Sequence, residues 1–137
     1  MEVEDVRIVV VDDNPDTLEA LSILLEMDGY SVETASDSHS ALTTIAAFEP
    51  ICVLTDIDMG GPTGLELASK VRALYGRDIT LVAVTGWGES DMRISPAFAH
   101  FDYYLRKPVD VKQLKKLLPP VHSTGMDASS ALRLTPI

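Results

Sequence analysis

Five residues of this chain combine reactive types with a shared local setting. Asp12 and Asp13 follow the apolar run Ile8–Val11, Asp56 closes Cys52–Thr55, Thr85 closes Leu81–Val84, and Lys107 follows Tyr103–Arg106. Three carboxylates gathered in a small space repel one another unless a cation sits among them, and hard oxygen ligands suit Mg2+ that keeps several of its waters. An Asp carboxylate can also attack phosphorus to form an acyl phosphate, provided that positive charge offsets the negative charge on the oxygens. Lys107 could supply that charge and Thr85 a hydroxyl. Taken singly, each has a plain explanation as a turn former, a strand-end hydroxyl or an exposed charge. Their conjunction at the ends of apolar runs points to one site.

Short β-branched runs alternate with longer amphipathic stretches, which argues for βαβ units and a parallel sheet. The pattern predicts five strands, Arg7–Asp12, Ser31–Ala35, Ile51–Asp56, Ile79–Thr85 and Tyr103–Arg106. Sites in such sheets form beyond the carboxyl ends of the strands, where all five reactive residues fall. The first helix is predicted to start at Asn14, an N-cap followed by Pro15, and to close at Gly29, with Leu18, Leu21, Leu24 and Leu25 on one face. Further helices are expected over Ser38–Phe48, Gly64–Tyr75, Glu89–Ala99 and Val111–Leu118. Pro50 stops the second, Asp110 and Gln113 form a capping box for the last, and Pro119-Pro120 ends it.

The 137 residues make one domain of ordinary size, and 46% hydrophobic with 23% charged is a globular composition. Acidic residues outnumber Lys and Arg by 21 to 11, which disfavours general binding to nucleic-acid phosphates. The charge is uneven: residues 1–69 hold 15 acids and one base, whereas residues 70–137 hold 6 acids and 10 bases. Arg106, Lys107, Lys112, Lys115 and Lys116 therefore make a local basic stretch, whose lysines on the last helix read as a solvated face. No apolar run approaches the roughly 20 residues of a membrane span. An acidic N-terminus and a single cysteine fit a cytoplasmic setting.

The motifs Val9-Val10-Val11-Asp12-Asp13-Asn14, Leu54-Thr55-Asp56-Ile57-Asp58-Met59 with Gly64 eight positions after Asp56, Val84-Thr85-Gly86 and Tyr104-Leu105-Arg106-Lys107-Pro108 together resemble the receiver domain of two-component response regulators. The resemblance covers about residues 6–118. It implies a doubly wound, flavodoxin-like sheet of order 2-1-3-4-5 flanked by five helices, and a cis Lys107–Pro108 bond. It implies Asp56 as phosphoacceptor and Mg2+ held by Asp12, Asp13, Asp56 and the backbone carbonyl of Asp58. Thr85 and Lys107 would bind the phosphoryl oxygens, with Thr85 and Tyr104 as the switch. The implied partners are a histidine kinase or histidine phosphotransfer protein, and an output partner or second copy bound through the fourth helix, fifth strand and fifth helix. No nucleic acid or membrane contact is expected. The module would be a switch that catalyses its own phosphorylation and dephosphorylation rather than a metabolic enzyme.

Departures from the pattern are local. Gly60 stands where the family usually has Pro, which predicts a looser loop after Asp56. The Asp58 side chain fits either a solvated loop acid or a group that alters metal affinity or orients the hydrolytic water, and Trp87 fits either a lid or a half-buried packing residue. Cys52 reads as an inert core thiol, and His39, His100 and His122 lack metal-ligand spacing. A rival resemblance is to aspartate-nucleophile phosphatases of the haloacid dehalogenase type, because Asp56-Ile57-Asp58 follows an apolar strand. That superfamily places its acidic metal pair last, whereas here it comes first. A pseudo-receiver would not need all five reactive positions. The module could stand alone or belong to a longer regulator or hybrid kinase.

Residues 119–137 are rich in Ser, Thr, Ala and Pro without apolar periodicity, and read as a tail or linker after a receiver at 1–118. Truncation after Leu118 should therefore leave the thermal midpoint within a few degrees of the full chain. A drop of many degrees would show that the tail packs on the domain.

Overall fold

The computed structural model describes residues 6–57, 64–86 and 99–118. Five parallel strands, β1 (Arg7–Val11), β2 (Ser31–Ala35), β3 (Cys52–Asp56), β4 (Thr80–Thr85) and β5 (Tyr103–Arg106), form one sheet in the order β2-β1-β3-β4-β5. The described helices are α1 (Pro15–Met27), α2 (Ser38–Phe48), α3 (Gly64–Tyr75) and α4 (Val111–Lys116). The helix expected over residues 89–99 lies largely outside the described residues; α4 is the expected last helix, two residues shorter. No described helix is long and apolar enough to cross a membrane.

Strand alternation divides the core into two layers. Val9, Val11, Val53, Leu81 and Ala83 pack with Ala41, Ile45, Leu67 and Val71 of α2 and α3, while Ile8, Val10, Leu54, Val82 and Val84 pack with Leu18, Leu21 and Leu25 of α1 and Leu114 of α4. Burial of each such aliphatic side chain contributes about 1.5–3 kcal/mol, so the central strands, covered on both faces, fix the frame. Asn14 caps α1 by accepting from the amides of Asp16 and Thr17, and Gly29 takes φ 97° after its end. Asp110 caps α4 through the Lys112 amide rather than the expected Gln113 position. Leu24 departs from the face it is expected to share: it is 46% exposed, and only Leu18, Leu21 and Leu25 of that set are buried.

The end of the sheet away from the reactive residues is tied by one arginine. The Arg72 guanidinium donates to the carbonyls of His100 (2.8 Å), Gly76 (2.8 Å) and Ile79 (2.7 Å) and to Asp102 Oδ2 (2.7 Å), which also accepts from the Leu81 amide at 2.8 Å. This joins the end of α3 and the start of β4 to the segment entering β5. Removing a nearly buried guanidinium leaves its acceptors underserved, so Arg72→Ala should lower unfolding free energy by about 2–4 kcal/mol. Arg72→Lys should restore little, because an ammonium lacks the planar fork that reaches four acceptors. Chemical denaturation checks both, and a loss below about 1 kcal/mol for the alanine variant would contradict this clamp.

Candidate functional site

The carboxyl edge of the sheet gathers the reactive residues. Asp12 directly follows β1, Asp56 ends the neighbouring β3, and carboxylate oxygens of Asp12, Asp13 and Asp56 lie within 4.8 Å of one another. Asp12 and Asp56 are buried and Asp13 is exposed. Lys107, just past β5, places Nζ 3.0 Å from Asp56 Oδ2 and 4.0 Å from Asp12 Oδ2. Its amide donates to the Thr85 carbonyl at 2.9 Å, which holds the Lys107 loop against the end of β4. Thr85 is buried one step beyond Val84, the register partner of Asp56. The Lys107–Pro108 peptide is cis, as the resemblance implies.

Burial pushes the Asp12 carboxyl above its ordinary range, and the charges of Asp56 and Asp13 push the same way, against the Asn14 amide that donates to it at 2.9 Å and the charge of Lys107. Burial alone would lower Lys107, but its bond to Asp56 and the charges of Asp56, Asp12 and Asp13 outweigh that and hold its ammonium above the usual value. One ammonium among three carboxylates leaves a negative excess. Clustered hard oxygens that repel one another, open on the Asp13 side, fit a small divalent cation of the Mg2+ kind.

A cleft of about 570 Å3 leads to this edge, with Asp12, Asp56 and Lys107 at its polar end and Ala20, Leu21, Leu24, Pro108 and Val109 along its side. Ala20, Ile23, Leu24 and Met27 are exposed at i, i+3, i+4 and i+7, so α1 carries a second apolar stripe beside the one it buries. The sequence reading set Leu24 on one face with Leu18, Leu21 and Leu25 and missed this stripe, although its spacing was visible. It also missed Asn14 as the residue orienting Asp12. Gly64 was singled out only as a motif position; a Cβ there would overlap the Asp56 carbonyl, so only glycine lets α3 start this close to the acid.

Tyr104 is 38% exposed and packs on Phe101 with ring centroids 6.2 Å apart. Cys52 is fully buried, and burial pushes its thiol up to about 12, as expected of an inert core residue. His39 is exposed and His100 half-buried, neither belonging to the acidic cluster. Asp58, Gly60, Trp87 and His122 lie outside the described residues.

The family model for the response regulator receiver domain matches residues 8–119. Among curated proteins, the response regulator MprA of Mycolicibacterium vanbaalenii is 37% identical over 109 residues, covering 80% of this chain and 47% of that protein. A 14.6 kDa protein of Leptolyngbya boryana is 34% identical over 112 residues, covering 81% of this chain and 86% of its own. The chain thus spans just under half of the MprA proteins it matches. Among solved structures, the response regulator TrrA of Thermotoga maritima, in complex with Mg2+–BeF, has a TM-score of 0.73 at 32% identity, covering 81% of this chain and 94% of that one. A receiver domain protein of Clostridium thermocellum gives 0.72 at 29% identity, with 80% and 88% covered. The matches whose names state a function are response regulators and not aspartate-nucleophile phosphatases.

Lys107 competes with any metal for the charge of Asp56. Lys107→Gln should therefore tighten Mg2+ binding by about threefold or more, since one charge pair at this spacing is worth a few kcal/mol at most near a protein surface. Calorimetric titration at pH 8 reads this, and weaker binding by the variant would mean that the ammonium organises the carboxylates rather than competing for them.

Proposed function

The chain belongs to the response regulator receiver family, and on that premise we propose that it takes a phosphoryl group onto Asp56 from a phosphohistidine of a partner protein. The observation that carries this reading is the meeting of Asp12, Asp13, Asp56 and Lys107 at one sheet edge. An Asp56 carboxylate oxygen bonds to phosphorus as the nitrogen–phosphorus bond of the donor breaks and the imidazole leaves with that electron pair. Lys107 meets the negative oxygens from the β5 side, and the Thr85 hydroxyl meets them from the end of β4. Mg2+, when held by Asp12, Asp13, Asp56 and the backbone carbonyl of Asp58, supplies positive charge toward the same oxygens. Asn14 keeps Asp12 facing the cluster through its amide.

The donor reaches Asp56 along the cleft, and its flanking surface rests on the exposed stripe of Ala20, Ile23, Leu24 and Met27. Small phosphodonors need no such surface, which separates the chemistry from the docking. Once phosphorylated, Asp56 carries close to two negative charges and draws on Thr85 and Lys107. Lys107 directly follows β5 and its amide bonds to the Thr85 carbonyl, so the pull reaches β5, which carries the exposed Tyr103 and Tyr104 and the basic Arg106 and is followed in sequence by Lys112, Lys115 and Lys116 of α4. The output face therefore includes β5 and α4, and an output partner or a second copy binds there with affinity set by the phosphoryl group. The same chemistry serves a free-standing regulator or the receiver portion of a longer chain in the cytoplasm.

Acetyl phosphate with Mg2+ should add one phosphoryl group, detected by intact mass, and Asp56→Asn or chelation of the metal should abolish it. Leu24→Lys should keep labelling by acetyl phosphate within about twofold while slowing transfer from a phosphohistidine donor by about tenfold, the loss expected when one apolar contact of an interface centre is replaced by a charge. Full labelling of the Asp56→Asn chain would overturn the acceptor, and unchanged transfer to the Leu24→Lys chain would overturn the docking stripe.

A further inference from the structure

Thr55 is a hydroxyl residue inside the most buried strand. It is 0% exposed, its register partners are Val11 and Ala83, and the core cluster on that side of the sheet is built of apolar side chains. Valine has the same branched shape and would pack there without a polar atom to satisfy, so packing alone does not account for threonine. The hydroxyl donates to the carbonyl of the next residue, Asp56, at 3.0 Å. The same peptide is held at its other end, where the Ile57 amide donates to the Val84 carbonyl at 3.1 Å. Gly64 closes over the Asp56 carbonyl and donates its own amide to the Ile57 carbonyl at 3.1 Å.

The peptide joining residues 56 and 57 is thus gripped at both its C=O and its N–H at the point where β3 ends. Its orientation sets the direction in which the Asp56 side chain leaves the backbone. That side chain must come within 3.0 Å of Lys107 and close to Asp12 and Asp13, where the like charges oppose its approach. An unrestrained strand end would relax away from that repulsion.

We infer that Thr55 is a positioning residue for the reaction at Asp56: its buried hydroxyl fixes the 56–57 peptide and so aims the carboxylate at Asp12, Asp13 and Lys107. The inference rests on the reading of Asp56 as the phosphoryl acceptor. It predicts that removing the hydroxyl loosens the site more than the fold, because valine fills the same space in an apolar layer and only one hydrogen bond is lost.

Thr55→Val removes the hydroxyl and keeps the shape, while Thr55→Ser keeps the hydroxyl. On the full chain, Thr55→Val should weaken Mg2+ binding measured by calorimetry, and slow labelling by acetyl phosphate, each by roughly three- to tenfold, the size of one buried hydrogen bond. Its thermal midpoint should stay within a few degrees of the parent, and Thr55→Ser should stay within about twofold of the parent in both site measurements. Thr55→Ala compared with Thr55→Ser repeats the comparison with the hydroxyl as the only difference, and decides the matter if the valine chain proves unstable. Parent-like Mg2+ affinity and labelling in the variants lacking the hydroxyl would overturn the inference, as would equal losses in the serine and valine chains, which would assign the effect to packing. Failure of the parent chain to accept a phosphoryl group would instead remove the reading of Asp56, leaving the Mg2+ measurements to decide on Thr55.

Discussion

Everything at the carboxyl edge of this sheet depends on three carboxylates being held closer than they would choose. Two unit charges about 4 Å apart interact by about 4 kcal/mol at the effective dielectric of a protein surface. Asp12, Asp13 and Asp56 would separate if their backbones allowed it, and the rise of the Asp12 carboxyl above its ordinary range records the burial and repulsion they endure. The fold prevents escape by rooting Asp12 and Asp56 at the ends of β1 and β3, adjacent central strands with aliphatic packing on both faces. The ammonium of Lys107 offsets part of the excess. The negative charge it leaves over fits a small divalent cation.

This arrangement makes the position of Lys107 a property of the whole sheet. Lys107 is separated from Asp12 by nearly the full length of the domain, and meets it only because β4 lies between β3 and β5 and because its amide is bonded to the Thr85 carbonyl. The same bond means that a change in charge at Asp56 acts on the ends of β4 and β5 together. At the opposite end, Arg72 and Asp102 fix the entry to β5. One end of the edge strand is therefore anchored by a nearly buried guanidinium, and the other leads to Lys107, which is paired with Asp56. On the proposed reading, a signal originating at Asp56 would be carried by the ends of β4 and β5 rather than by the clamped end.

Helix α1 joins chemistry to recognition. Its buried stripe of Leu18, Leu21 and Leu25 secures the sheet, while its exposed stripe borders the cleft that opens on Asp56. On the proposed reading, a phosphoryl donor with a broad surface and one without it would meet the same reactive edge, and selectivity between them would reside in α1.

The sequence by itself determined the strands and described helices within a residue or two, the caps at Asn14 and Asp110, and the gathering of Asp12, Asp13, Asp56, Thr85 and Lys107 at one edge. Those features depend on local periodicity, on capping chemistry and on the rule that parallel strands end together, all of which are written within short windows of chain. Tertiary structure alone decided how wide a helix face is covered, and so that Leu24 is exposed beside Leu25. It decided that Arg72 bonds to residues 28 and 30 positions away, and that the Thr55 hydroxyl and Gly64 both meet the Asp56 carbonyl. Periodicity states which side chains share a face, but the width of the neighbour that covers it, and the partner that reaches a donor from a distant segment, depend on how the elements pack in space.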